Sequence, residues 1–170
     1  MPSGKVHQNL ELSLLPPLLL SLLLLDRALF PKIFHLHHYA IFTLAYLFSV
    51  YLLSPDLDQH HCEAKKNWGI LQFLWWPYSK IFVHRGVSHH PLLGPWSRLL
   101  YLALLLLPPY LLLQQTLHPT PTPITNHLLQ LLQLLRQYPS EFLLTLLGLF
   151  CPNWLHIALD HWNSQIRKTP

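Results

Sequence analysis

Three imidazoles, a guanidinium, a hydroxyl and a glycine fall within the seven residues His84-Arg85-Gly86-Val87-Ser88-His89-His90. Neutral imidazole is the commonest metal ligand among side chains, and Gly86 lets the chain bend so that His84 and His89 turn toward one point. Other patterns supply the donors such a point lacks. His156 and Asp160 are four residues apart, so on a helix they share a face one turn apart. Asp56 and Asp58 sit in a turn opened by Pro55. There one carboxylate can bind a metal while the other becomes a second ligand, orients a histidine or serves as a base. His7 stands at the start of the first apolar segment. The candidate ligands are therefore His7, Asp56, Asp58, His84, His89, His156 and Asp160. Mixed imidazole and carboxylate donors suit zinc first, and manganese or iron next, over calcium or magnesium; one ion or two fit the count. A divalent ion lowers the pKa of water it binds. The expected chemistry is hydrolysis of an ester or phosphoester, with Asp58 the candidate base and Arg85 placed to neutralise a phosphate or tie down a carboxylate.

Each pattern has a plainer counterpart. A His-x-x-x-Asp pair is a frequent helix-surface contact, and Pro-Asp-x-Asp is a frequent turn. The combination carries the weight. The chain has only seven acidic residues, and Asp56, Asp58 and Asp160 each adjoin an apolar segment. A carboxylate at the centre of a membrane helix costs about 2.5–3.5 kcal/mol, so carboxylates at its edge call for a partner. His35, His37 and His38 fall at the opposite end of their segment and read as local structure.

The elements that must position these residues are apolar. Of 170 residues, 51% are hydrophobic and 11% charged, against about 25% charged in a soluble domain. That points to a lipid environment and one domain over 1–170. The net charge of +4 comes from scattered residues, which argues against nucleic acid. Cys62 and Cys151 make no disulfide framework, and no small-residue cleavage site follows the first apolar block.

Four apolar segments are long enough to span or nearly span a bilayer: 12–25, reaching 30 if Asp26 and Arg27 neutralise each other, then 33–53, 93–113 and 142–159. Pro16-Pro17 should kink the first and Pro108-Pro109 bend the third. The run from Trp68 to Tyr78 is too short to span; its aromatic residues suit the bilayer interface or the side of the bundle. Residues 114–126 read as a proline-rich loop and 127–137 as an amphipathic helix. The expected class is thus an all-α, four-span membrane protein with an interfacial segment. Four crossings return His7, Asp56, Asp58, His84, His89, His156 and Asp160 to one membrane face. That face also carries Lys5, Lys65, Lys66, Lys80, Arg85, Arg98, Arg167 and Lys168, against Arg27, Lys32 and Arg136 on the other. The positive-inside rule makes the first face cytoplasmic, with both termini there, as in a multi-pass protein of the inner membrane.

Met1-Pro2-Ser3-Gly4-x-x-His7, Pro55-Asp56-Leu57-Asp58, His84-Arg85-Gly86-x-Ser88-His89 and His156-x-x-x-Asp160-x-Trp162 together resemble an uncharacterised bacterial family of metal-binding integral membrane proteins. Gly94, Arg98 and Tyr101 fit the same pattern, and the likeness spans nearly the whole chain. More distantly the sequence resembles inner-membrane metal-dependent hydrolases, and it shares an early His, a middle Asp and a His-x-x-x-Asp helix with zinc phospholipases of the all-helical type. The resemblance implies a metal site and hydrolase activity but no substrate. Gln8 departs from it, standing where similar sequences carry Asp. The implied partners are the lipid bilayer and a lipid-derived or phosphoester substrate. The alternative is a non-catalytic membrane protein with a structural or sensory metal.

Overall fold

A computed structural model describes residues 4–29, 33–82, 86–117 and 124–166. His84 and Arg85 lie outside these. Every regular element among the described residues is helical. In chain order they are α1 (Gly4–Leu29), α2 (Leu36–Leu52), a 3-10 turn at Pro55–Asp58, α3 (Glu63–Asn67), a 3-10 stretch at Gly69–Trp75, α4 (Trp76–Ile81), a 3-10 turn at Val87–His89, α5 (Leu93–Leu117), α6 (Ile124–Gln137) and α7 (Pro139–Ile166). Four of these segments are long and apolar enough to cross a membrane, and they are the four expected: Gly4–Leu29, Leu36–Asp58, Leu93–Leu117 and Pro139–Gln165.

The distribution of side chains inverts that of a soluble protein. Leu20, Leu24, Leu44, Leu100, Leu104 and Leu112 all stand more than half exposed. The buried set includes His7, Glu11, Asp26, Ser49, Asp58, Arg98, Asn153 and His156. A lipid-facing exterior needs no polar groups, whereas polar side chains inside a bundle must find one another.

Helices α2 and α7 form the central pair. Between apolar helices in lipid, association rests on close packing and hydrogen bonds rather than on expulsion of water. Gly148 permits the approach: a Cβ there would lie 2.7 Å from both the Ala45 Cβ and the Phe42 carbonyl. Ser49 donates to the Leu149 carbonyl at 2.7 Å, and Phe42, Tyr46, Val50 and Leu144 fill the seam. Tyr46 ties in α1 by donating to the Glu11 carbonyl at 2.7 Å.

Two local expectations are corrected. Helix α1 does reach Leu29, but Asp26 and Arg27 do not pair. Asp26 instead accepts from the Phe34 N–H and the Tyr39 hydroxyl, both at 3.1 Å, so the next segment neutralises its polarity. The loop expected over 114–126 is shorter: α5 runs to Leu117 and α6 begins at Ile124. Both Pro16-Pro17 and Pro108-Pro109 lie inside continuous helices. The Trp68–Tyr78 run packs one side against the bundle, the second of the two readings offered for it. Trp75 and Tyr78 are wholly buried against Leu53, Leu57 and Ala64, while Ile70, Phe73 and Trp76 face outward.

Candidate metal centre

Helix periodicity places the first donors. His7 and Glu11 are one turn apart near the start of α1, and both are buried. His156 and Asp160 are one turn apart near the end of α7. Between them come two short turns. Ser54 caps the Pro55–Asp58 turn by accepting from the Asp56 N–H. The Val87–His89 turn is stitched to it, because Ser88 donates to the Pro55 carbonyl at 2.8 Å. Gly94 lets α5 start against this second turn: a Cβ there would lie 2.3 Å from the Ser88 carbonyl oxygen. Helix α7 holds the same stretch from the other side. Asn153 accepts from the Arg98 guanidinium at 2.6 Å, and the Trp154 indole donates to the Pro91 carbonyl at 2.8 Å.

Five side chains meet as a result. His7 Nε2 is 3.3 Å from Asp160 Oδ1. His156 Nε2 is 3.6 Å from Asp56 Oδ1 and 4.0 Å from Asp160 Oδ2. His89 Nε2 is 3.8 Å from Asp160 Oδ2. The His7 and His156 rings stack at 4.6 Å. Two overlapping groups of donors, His7–His156–Asp160 and Asp56–His89–His156, each gather within 4.8 Å.

Two further carboxylates stand behind the rings. Glu11 Oε1 accepts from His156 Nδ1 at 2.8 Å. In the neutral ring that bond puts the proton on Nδ1 and leaves a lone pair on Nε2, on the side of Asp56 and Asp160. Asp58 Oδ2 faces His89 Nδ1 at 3.3 Å, again on the side of the ring away from Asp160. A carboxylate holding the far nitrogen of a ligating histidine is the usual support of a metal site.

The spacing tests whether an ion fits. A charge-assisted hydrogen bond between nitrogen and carboxylate measures about 2.7–2.9 Å, and the four facing distances are all longer. Two ligands each about 2.1 Å from a tetrahedral ion stand about 3.4 Å apart. The observed 3.3–4.0 Å therefore matches donors around a shared cation better than donors bonded to one another. Both donor groups draw on His156, which has one lone pair to offer, so they describe parts of one centre.

The centre is reachable. A cavity of about 180 Å³ touches His7, Asp56, His156 and Asp160, and its outer wall carries Gln59, His61, Cys62 and Lys66. It has room for several waters. Burial pushes the Cys62 thiol up to about 11, so Cys62 stays a neutral thiol and its sulfur accepts from the Lys65 N–H.

Of the residues singled out in the sequence, the structure brings His7, Asp56, Asp58, His89, His156 and Asp160 to one end of the bundle. His84 and Arg85 fall outside the described residues. His90 has a different task, accepting from the Leu92 and Leu93 N–H groups at the start of α5. Glu11 escaped the sequence reading. Its signal was there: a lone acid in an apolar helix, one turn from His7.

The family model described as "Uncharacterized metal-binding protein (DUF2227)" matches residues 2–169. An uncharacterized protein of Aquifex aeolicus (strain VF5) is 43% identical over 61 residues, 36% of this chain. The match spans 43% of that protein's own length. No solved structure matches the chain.

Proposed function

The chain belongs to an uncharacterised family of metal-binding proteins, and from that premise we propose that it is a metal-dependent hydrolase of the inner membrane. One divalent cation, zinc by donor type, is held by His7, Asp56, His89, His156 and Asp160 at the cytoplasmic face. The observation that supports this most is the setting of His156: its Nδ1 is 2.8 Å from Glu11 Oε1, and its Nε2 faces the Asp56 and Asp160 carboxylates at 3.6 and 4.0 Å. A cation between them removes the repulsion of acceptor against acceptor.

When bound, such an ion supplies Lewis acidity and makes water a nucleophile near neutral pH. The chain's own residues do the rest. Glu11 and Asp58 hold the His156 and His89 rings in the ligating orientation. The cavity admits a compact polar group; its wall carries His61 and a Lys66–Glu63 ion pair at 2.8 Å, so a bound cation would be the main attraction for an anionic group such as a phosphoester at a lipid headgroup. Both termini are cytoplasmic by the charge bias, which persists when the buried Lys65 and Arg98 are set aside.

A structural or sensory metal is the second reading. It is favoured by the number of protein donors, since five can close a coordination shell, whereas the cavity reaching four of them favours an open position. Elemental analysis of purified wild type beside His156→Ala tests the metal. About one zinc per chain in the first and almost none in the second is expected; equal metal in both removes the site. Turnover of generic phosphomonoester, phosphodiester and carboxyl-ester substrates then separates the readings. Full metal with no metal-dependent turnover selects the structural role.

A further inference from the structure

A second cavity lies at the other end of the bundle. It is a cleft of about 1010 Å³ between the last turns of α1 and the first turns of α2. Leu20, Leu23 and Leu44 line it, and Ala40 and Thr43 are small enough to leave it open. From Leu19 to Arg27 the cleft follows α1 for about 12 Å. Its walls belong to two segments of membrane-crossing length and composition, so in a bilayer the space beside them is filled by hydrocarbon. Leu20 and Leu44, 55% and 68% exposed, open it outward rather than into the protein core.

The mouth of the cleft is polar and cationic. Arg27, in the last turn of α1, is exposed and has no carboxylate within ion-pair distance among the described residues. Its neighbour Asp26, which also lines the cleft, is buried and accepts from the Phe34 N–H and the Tyr39 hydroxyl. His35 lies beside the same opening. An apolar trough about half an acyl chain long, with an exposed guanidinium outside any ion pair at its end, is complementary to one class of molecule in a bilayer.

We infer that the α1–α2 cleft is a binding site for a phospholipid with an anionic headgroup, its acyl chain lying along Ala40 and Thr43 and its headgroup against Arg27. The site rests on the bilayer placement proposed above and is independent of the metal centre. Arg27 is worth about fivefold in preference for an anionic over a zwitterionic headgroup, and the chain contacts supply the rest.

The full-length protein is reconstituted into vesicles of equal parts phosphatidylglycerol and phosphatidylethanolamine, extracted gently, and weighed by native mass spectrometry. Wild type is expected to retain one lipid per chain, phosphatidylglycerol about fivefold over phosphatidylethanolamine. Arg27→Gln, at an exposed position, is expected to retain lipid without that preference, and Ala40→Trp to lose it with helix content unchanged by circular dichroism. Retention by Ala40→Trp at the wild-type level, or an undiminished preference in Arg27→Gln, overturns the site. A wild type that fractionates with membranes under alkaline carbonate but retains no lipid overturns the cleft alone. One released as a soluble protein overturns the bilayer placement with it.

Discussion

Two clusters of histidine and carboxylate sit at opposite ends of this bundle, and they are built to opposite effect. At the His156 end, a carboxylate occupies Nδ1, so in the neutral ring the proton sits there and Nε2 presents a lone pair on the side of Asp56 and Asp160. At the His38 end, the His35 N–H donates to His38 Nδ1 at 3.0 Å. Neutral His38 must then carry its proton on Nε2, which donates to the Ser140 hydroxyl at 3.2 Å. Ser140 in turn donates to Glu141 at 2.9 Å. His37, His38 and Glu141 are as close together as the donors of the other cluster, yet the buried ring among them has no lone pair left for a cation. Proximity therefore does not separate a metal centre from a hydrogen-bonded knot. The partner at Nδ1 does.

The comparison breaks most visibly on metal content. His156→Ala should abolish it, and Asp160→Ala should nearly do so, because the first faces two other donors and the second three. His38→Ala should leave it at the wild-type level. Loss of metal in His38→Ala would mean that the knot, too, is a site. Acidification comes next. Imidazoles bind metal only when neutral, so bound metal should be full at neutral pH and fall as pH drops through the imidazole range, about 6.5 for a free side chain. A metal affinity that does not weaken as the pH falls through and below that range would exclude histidine ligation.

Support residues should have smaller effects. Glu11→Gln and Asp58→Asn are expected to weaken metal affinity about 10- to 100-fold, read by competition with a chromophoric chelator, while Glu141→Gln leaves affinity unchanged. A drop in thermal stability without a change in affinity would make Glu11 a packing residue only. Gly148→Ala should cost about 1–3 kcal/mol through overpacking of the α2–α7 seam, measured as unfolding in detergent. Ser140→Ala, at the knot, should cost about 1 kcal/mol and leave metal affinity untouched.

The four apolar segments and the return of the key residues to one end were legible because hydropathy and crossing number are local and additive. The Asp56 turn was legible because Pro55 opens it, and the His156–Asp160 pair because an i, i+4 spacing translates directly into a shared helix face. Asp58 was open between ligand, base and support, since a two-residue spacing permits all three. Only its position behind His89 favours support. Glu11 was missed because its partner is 145 residues away, on a helix whose rotation no local pattern specifies.

Residue types, span count and the gathering of donors at one end follow from the sequence, through the length of the bilayer and the helical repeat. The tautomer of each histidine does not. The two histidine groups are composed alike, and what distinguishes them is whether a distant carboxylate or a neighbouring backbone N–H reaches Nδ1. Packing of α1 and α2 against α7 settles that choice.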